Sequence, residues 1–359
     1  MVARATLRSF RSYAGLDLGL APGLVLVVGR NGAGKTNLLE AVHVGAQGFS
    51  PRTRAEPRLV RFGEPAARVG LEGTEAAAPV ETEVTIAPGE GKRLRLNGAP
   101  LASAEELRTR LTALAFVPDR LAIVKGGPAV RRAYVDRMLG RVTPSLAALP
   151  GEYGRALAQR NEALRRVRAC VSTRAAVEPW TERVSALGTE LDAARADLVA
   201  VLAPGFAEHA AALGLPGGTL GYEARPPTAA DLEARLERDL ERGTTGLGPH
   251  LRDIEIRAAR RDLRGYGSQG EQRTAVLALL LAEAGVLTER RDAPPLLLLD
   301  DVLSELDAGR RRALLAGLPP GGQTLVSATS LDAVPADAPE PALVVTVRRE
   351  GDTSTAAAA

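Results

Sequence analysis

The chain has 359 residues, of which 45% are hydrophobic and 25% charged. That length exceeds one small core and suits two domains, or one α/β domain with an insertion, in a globular rather than disordered protein. A net charge of +3 does not by itself mark a nucleic-acid binder, and 3% aromatics argue against base stacking on an aromatic platform. The single cysteine, Cys170, excludes a disulfide framework and a zinc site of paired cysteines, and it fits a reducing cytosol. Met1 to Phe10 holds Arg4 and Arg8 without an apolar core, so it does not read as a secretory signal. No apolar run reaches the roughly 20 residues that span a bilayer. The expectation is a cytoplasmic protein with no membrane partner.

In chain order, Val2–Leu7 and Leu16–Leu20 have strand periodicity. Leu24–Val28 is an all-apolar run of the kind a buried parallel strand shows. A glycine-rich turn follows, then a helix over Asn37–Val44. Val80–Ile86 and Arg93–Leu96 read as strands, the latter ending in the hairpin signal Asn97-Gly98. From Pro128 the texture becomes helical: Ala129–Leu139, Ser145–Val171, Ala176–Leu202 and Ala229–Glu241, punctuated by Pro144, Pro204 and Pro226-Pro227. After Gly243 the α/β texture returns, with helices at Gln269–Val286 and Ala308–Ala316 and strands at Leu296–Leu299 and Gln323–Ser327. Residues 350–359 read as a frayed tail. The expected division is 1–127 and 244–359 as two halves of one α/β domain, with a mainly helical lobe, 128–243, inserted between them.

The strongest local signal is Gly29-Arg30-Asn31-Gly32-Ala33-Gly34-Lys35-Thr36, a strand-to-helix phosphate-binding loop. Its glycines let backbone N–H groups turn toward phosphate oxygens, and the helix N-terminus adds partial positive charge. Lys35 is expected to reach the β and γ phosphates of ATP, Thr36 to ligate Mg²⁺, and Asn37 to complete the loop. Leu296-Leu297-Leu298-Leu299-Asp300-Asp301 is a buried strand ending in an acidic pair, the form of a Walker B motif. Asp300 is expected at Mg²⁺, and Asp301 at the attacking water. Ser268-Gln269-Gly270-Glu271-Gln272-Arg273 opens a helix; alone it is an N-cap.

Taken with the other two motifs, that run resembles the ABC-ATPase signature, and Ser304-Glu305-Leu306-Asp307 resembles the D-loop. The four together are similar to an ABC-type head, a P-loop NTPase fold whose ATP-bound state is a sandwich dimer. The resemblance implies that Ser268, Gly270 and Gln272 meet the γ-phosphate held by a second copy. Phe10-Arg11-Ser12-Tyr13, Lys35-Thr36-Asn37-Leu38-Leu39-Glu40-Ala41, Pro118-Asp119-Arg120-Leu121, Lys125-Gly126, Pro128–Asp136, Gly248-Pro249-His250 and Asp300–Asp307 narrow it to the RecF family of bacterial recombination mediators. This implies a weak DNA-stimulated ATPase of replication and recombinational repair. It would dimerise with ATP on double-stranded DNA near gapped duplex and single-strand junctions. It would assist RecA loading with RecR- and RecO-like partners. The chain departs from the family's Gly-Pro-His-Arg-Asp-Asp by reading Leu251-Arg252-Asp253 after His250. It also lacks a Q-loop glutamine within Phe116–Gly126 and a switch histidine after Ser327, where Thr329 stands.

Among the basic residues, Arg11, Arg52, Arg54, Arg131 and Arg132 are the candidates for DNA phosphate contacts, without base readout. The chain has only three lysines, Lys35, Lys92 and Lys125, a bias toward arginine that a GC-rich genome accounts for. His43, His209 and His250 lack metal spacing, and His250 reads as structural. Two other readings use the same ATPase head. One is a transporter subunit, opposed by the absent switch histidine and the absent Leu-Ser-Gly-Gly-Gln wording. The other is a chromosome-structuring head, opposed by the short, proline-broken insertion.

Overall fold

The apolar run Leu24–Val28 lies in the strand Gly23–Val28, inside a six-stranded sheet of the computed structural model. The strand order is 353–358, 343–350, 23–28, 323–328, 296–299, 113–116, and only the first runs antiparallel to its neighbour. Leu296–Leu299 is buried along its whole length, which is why it shows no alternation. A second six-stranded sheet is antiparallel throughout, in the order 13–19, 2–10, 67–75, 78–87, 91–96, 99–100. Its strands do alternate: Val80, Thr82, Val84 and Ile86 turn inward because only one face meets the core. The helix Lys35–Gln47 packs on that face so closely that a Cβ on Gly45 would overlap Leu71. Thr82 Oγ1 donates to Gly45 O at 2.9 Å. One apolar cluster joins both sheets to the helix. Asn97 and Gly98, with φ of 49° and 78°, form the type I′ turn their sequence calls for.

The structure describes residues 1–75 and 78–358; the side chains of Thr109, Pro118 and Asp119 also lie outside the described residues, as does Ala359 of the tail. The chain divides into two units. The first comprises Met1–Arg120, Ala212–Gly214 and Glu283 onward, and carries both sheets; the second comprises Leu121–Ala211 and Leu215–Ala282. The second unit is built on the helices Pro128–Val142, Leu149–Arg168 and Glu178–Ala212, with a small antiparallel sheet of Gly218–Tyr222, Ile254–Ala258 and Arg261–Asp262. Among the described residues no helix is long and apolar enough to cross a membrane.

The boundaries differ from those expected. Residues 244–282 group with the helical unit, not with the α/β head, because Ile254–Ala258 pairs with Gly218–Tyr222. Residues 121–127 join them. Pro204 does not end its helix, which continues to Ala212. Its ring leaves the carbonyl of Ala200 without an N–H partner, and Ala200 is exposed, so water can serve that group. The stretch 229–241 is two helices, Ala229–Ala234 and Leu236–Arg242, broken at Arg235. The frayed tail is an edge strand, Thr353–Ala358, paired with Leu343–Glu350. Glu350-Gly351-Asp352-Thr353 is a two-residue hairpin with Gly351 at φ 57°, a turn signal that was present in the sequence.

Candidate functional site

The phosphate loop leaves the strand Gly23–Val28 at Gly29 and enters the helix at Lys35. Gly32 (φ 78°) and Gly34 (φ 115°) take left-handed conformations that a side chain would strain. A Cβ on Gly29 would overlap the carbonyl of Val347, and one on Gly34 would overlap Ser354. Lys35 is buried, and its Nζ donates to the carbonyls of Gly29 (2.7 Å) and Arg30 (3.2 Å). Burial pulls its ammonium below the ordinary lysine range, while Asp301 and Asp300 oppose that shift.

The acidic pair, at the end of Leu296–Leu299, meets this loop from across the sequence. Thr36 Oγ1 donates to Asp300 Oδ1 at 2.9 Å, and Ser327 Oγ donates to the same oxygen at 2.8 Å. Burial pushes the Asp300 carboxyl above the usual carboxylate range, against the pull of those two hydroxyls. Asp301 is left-handed (φ 52°), and its N–H donates to Ser327 Oγ at 2.8 Å. Ser327 therefore holds both members of the pair. Asp301 Oδ1 is shielded from bulk solvent and has no hydrogen-bond partner among the described residues. Lys35, Thr36, Asn37, Asp300, Asp301 and Ser327 line one cavity of about 360 Å³, together with Asn31, Gly32, Gly34, Arg52 and Arg349.

The N-terminal motif braces this loop. Arg11 makes a two-point ion pair with the buried Glu40 (2.9 and 3.0 Å), which Arg52 and Ser50 also contact. Asn37 Nδ2 donates to Ser12 Oγ at 2.9 Å, and Tyr13 Oη donates to Gly34 O at 3.1 Å. The residues that carry the resemblance at 10–13 and 35–41 thus fit one another physically.

The donor set fits a nucleoside triphosphate with Mg²⁺. The loop offers backbone N–H groups and one buried ammonium, and a hydroxyl and a buried carboxylate already lie at hydrogen-bond distance from each other. Among the described residues no cluster of three or more His, Cys, Asp or Glu could hold a metal ion. Mg²⁺ here would therefore take Thr36, Asp300, water and phosphate oxygens, a set it commonly uses.

In the second unit, Ser268 caps the helix Gln269–Arg291: Glu271 N donates to Ser268 Oγ (3.2 Å) and Ser268 N to Glu271 Oε2 (2.7 Å). Those bonds hold the Glu271 carboxyl below its usual range. Ser268 and Gly270 are exposed. Gln272 is not: it is buried, and its amide donates to Leu263 O at 2.8 Å, so it holds the preceding turn rather than facing outward.

The candidate DNA arginines divide. Arg131 is 4% exposed, locked to Asp253 and to the carbonyls of Val124 and Gly126, so it is withdrawn as a DNA contact. Arg11 is withdrawn because Glu40 holds it. Arg132 is half-buried and donates to Arg252 O at 2.7 Å. Arg52 lines the phosphate cavity, and Arg54 is exposed. His250 bonds Tyr153 Oη through Nδ1 (2.7 Å) and Thr245 O through Nε2 (3.0 Å), a structural role. Sequence reasoning missed Phe62. It is fully exposed at the second position of a type II turn, closed by Glu64 N to Arg61 O at 3.0 Å, with Gly63 at φ 85°. It also missed Arg160, fully buried and bonded to Asp239, Thr181 and Thr245, because an arginine in a helix carries no sign of its burial.

Residues 1–334 match the family described as RecF/RecN/SMC N terminal domain. A DNA replication and repair protein RecF of Frankia alni is 40% identical over 92% of this chain and 94% of its own length. The corresponding protein of Heliobacterium modesticaldum is 35% identical over 87% of each chain. A solved structure of the recombination mediator protein RecF-ATP in the RecFOR pathway superposes with a TM-score of 0.85 at 26% identity, covering 100% of this chain and 97% of the other. An SmcHead bound to the C-winged helix domain of ScpA (TM-score 0.62, 18% identity, 100% and 97% covered) shares the fold. With the phosphate loop, the acidic pair and the N-terminal brace meeting in one ABC-type head, and with relatives aligned along most of its length, the chain belongs to the RecF family.

Proposed function

We propose that this protein is an ATP-dependent DNA-binding switch of replication and recombinational repair. The observation that carries it is the contact of Thr36 with Asp300, 264 residues apart, in a cavity shared with Lys35 and Asp301. Lys35 would meet the β and γ phosphates, and Thr36 and Asp300 would hold Mg²⁺, which when bound would supply charge neutralisation to the β and γ phosphate oxygens as ADP leaves. Asp301, with an unpartnered oxygen, orients the attacking water. The exposed Ser268 and Gly270 at a helix start suit a γ-phosphate presented by a second copy, so ATP drives a homodimer. Hydrolysis is slow and resets the switch, because the lifetime of the ATP-bound state is the signal.

The DNA ligand is double-stranded DNA beside single-strand gaps, held by phosphate contacts from Arg54 and from Arg58, which is likewise exposed four residues on, with the exposed Phe62 at the junction. RecR- and RecO-like mediators are the partners proposed, in keeping with a structural neighbour described as a recombination mediator of the RecFOR pathway, and RecA loading is what the resemblance implies. The test is mass in solution with ATP, ADP and no nucleotide, followed by filter binding to gapped duplex at two salt concentrations. A mass that ignores ATP, with gapped-duplex binding equally indifferent to it, would reject this reading. The transporter reading lacks a specific observation in its favour, since no switch histidine follows Ser327. The chromosome-structuring reading has only the shared fold.

A further inference from the structure

The hairpin formed by Leu343–Glu350 and Thr353–Ala358 lies beyond residue 334, where the family match ends. It nevertheless touches the phosphate loop at three consecutive residues. Arg349 Nη1 donates to Gly32 O at 3.3 Å, at the apex of the loop. Ser354 is fully buried, with its Oγ 2.6 Å from Ala33 O and 2.8 Å from Ser12 Oγ. One hydroxyl proton serves one acceptor, so Ser354 donates to the carbonyl and accepts from Ser12. Ser12 in turn accepts from Asn37, and the Ser354 N–H donates to Ser12 O at 2.8 Å. Ser354 also packs against Gly34, where only a glycine fits. Arg61 ties the turn of the hairpin to the same place, donating to Asp352 O and to Ser12 O.

Arg349 also lines the cavity that holds Lys35, Thr36 and Asp301. Its Nε donates to Gly351 O at 3.1 Å, and Asp352 stands 3.7 Å from Nη2. That partner is itself 96% exposed and weakly placed. A guanidinium has five N–H donors in a planar fork that matches phosphate oxygens, so two backbone acceptors leave it donors to spare.

We propose that this C-terminal hairpin is part of the nucleotide site: Arg349 adds a second cation for the terminal phosphates, and Ser354 positions the loop that receives them. The proposal rests on the ATP reading above. It gives the chain a second positive group at the mouth of the loop, on a segment outside the family match.

The test is calorimetric binding of ATP and ADP to the full-length protein and three variants, each checked by thermal melting without nucleotide. Arg349→Gln should weaken ATP binding about 10-fold and ADP binding by less than about 3-fold, as expected for a charged hydrogen bond to the last phosphate. Ser354→Ala should weaken ATP and ADP by similar factors, because a displaced loop serves both. Arg348→Gln, at a residue that lines a neighbouring cavity and is not among those lining the cavity of Lys35 and Asp301, should leave the ATP-to-ADP ratio unchanged. An unchanged ratio in Arg349→Gln, or the same change in Arg348→Gln, overturns the phosphate contact. Unchanged affinities in folded Ser354→Ala overturn the positioning role. If Ser354→Ala does not fold, Arg349→Gln alone decides the proposal. Failure of the wild-type chain to bind ATP would reject the ATP reading itself, a separate result.

Discussion

Asp253 holds Arg131 in a two-point ion pair, Nε to Oδ1 at 2.8 Å and Nη2 to Oδ2 at 2.6 Å. Asp253 follows Leu251 and Arg252, where the chain departs from the usual wording of its family, and Arg131 was a candidate DNA contact. The pair gives both residues a structural role: the aspartate is the counter-charge of the buried arginine. Asp253→Ala should cost about 2 kcal/mol of stability, below the roughly 3–5 kcal/mol of a fully buried pair because Asp253 is partly exposed. Urea denaturation measures this. Arg131→Met should destabilise similarly without a selective loss of DNA affinity; a large DNA defect in a fully stable variant would return Arg131 to the DNA surface.

The acidic pair should separate by function. Lys35→Met keeps the side-chain length and removes the charge, so ATP affinity and ATP-driven dimerisation should both disappear. Asp300→Asn should impair Mg²⁺-dependent binding, whereas Asp301→Asn should bind ATP and Mg²⁺ but hydrolyse poorly and remain dimeric. Binding and turnover assays on the two variants check the split, which identical behaviour would refute.

Ser268 offers a complementation experiment. Ser268→Arg loses a capping interaction worth about 1 kcal/mol but should still bind ATP as a monomer. In a mixture with Lys35→Met, one composite site carries both lesions and the other carries neither. Partial ATPase activity should therefore reappear on mixing two inactive proteins. An ATP-dependent dimer of Ser268→Arg alone would remove the trans-acting role.

His250 sets a pH dependence. Burial holds its pKa below the ordinary 6.5, with Arg132 and Arg195 adding to that shift, while its bond to Thr245 and the charge of Asp239 oppose it. The unfolded chain then binds the proton more readily than the folded one. Stability is fully present above the unfolded value and falls as pH drops through it toward the folded value. Melting temperature should decline from about pH 8 to about pH 5.5, and His250→Gln should flatten part of that slope. His209, lowered by burial, adds to the slope in the same direction, as does the half-buried N-terminal amine of Met1, and the His209 part is tested by His209→Gln.

Phe62 gives a surface prediction. Exposing a whole phenyl ring on a turn with no covering residue brings no folding energy. Phe62→Ala should leave the melting temperature unchanged and weaken binding to gapped duplex more than to continuous duplex. Arg54→Ala should weaken both by similar factors and reduce the salt dependence. Equal losses on both DNAs from Phe62→Ala would reject a junction role.

What the sequence determined by itself is local. Backbone conformation, strand period and turn chemistry act over a few residues, so the phosphate loop, the strand Leu296–Leu299, the helix Ala308–Ala316 and the Asn97-Gly98 turn were legible before any fold. What only the tertiary structure decided are the pairings between distant segments. Sheet register brings Asp300 to Thr36 and places Ser327 where it holds both carboxylates. It turns an alanine-rich tail into an edge strand whose serine supports the phosphate loop. It also decides which arginines face water: Arg54 and Arg131 look alike in sequence, yet one is exposed and the other is buried against Asp253. The reason is physical. A charge survives burial only where another segment supplies its partner, and no local pattern in the chain specifies that partner.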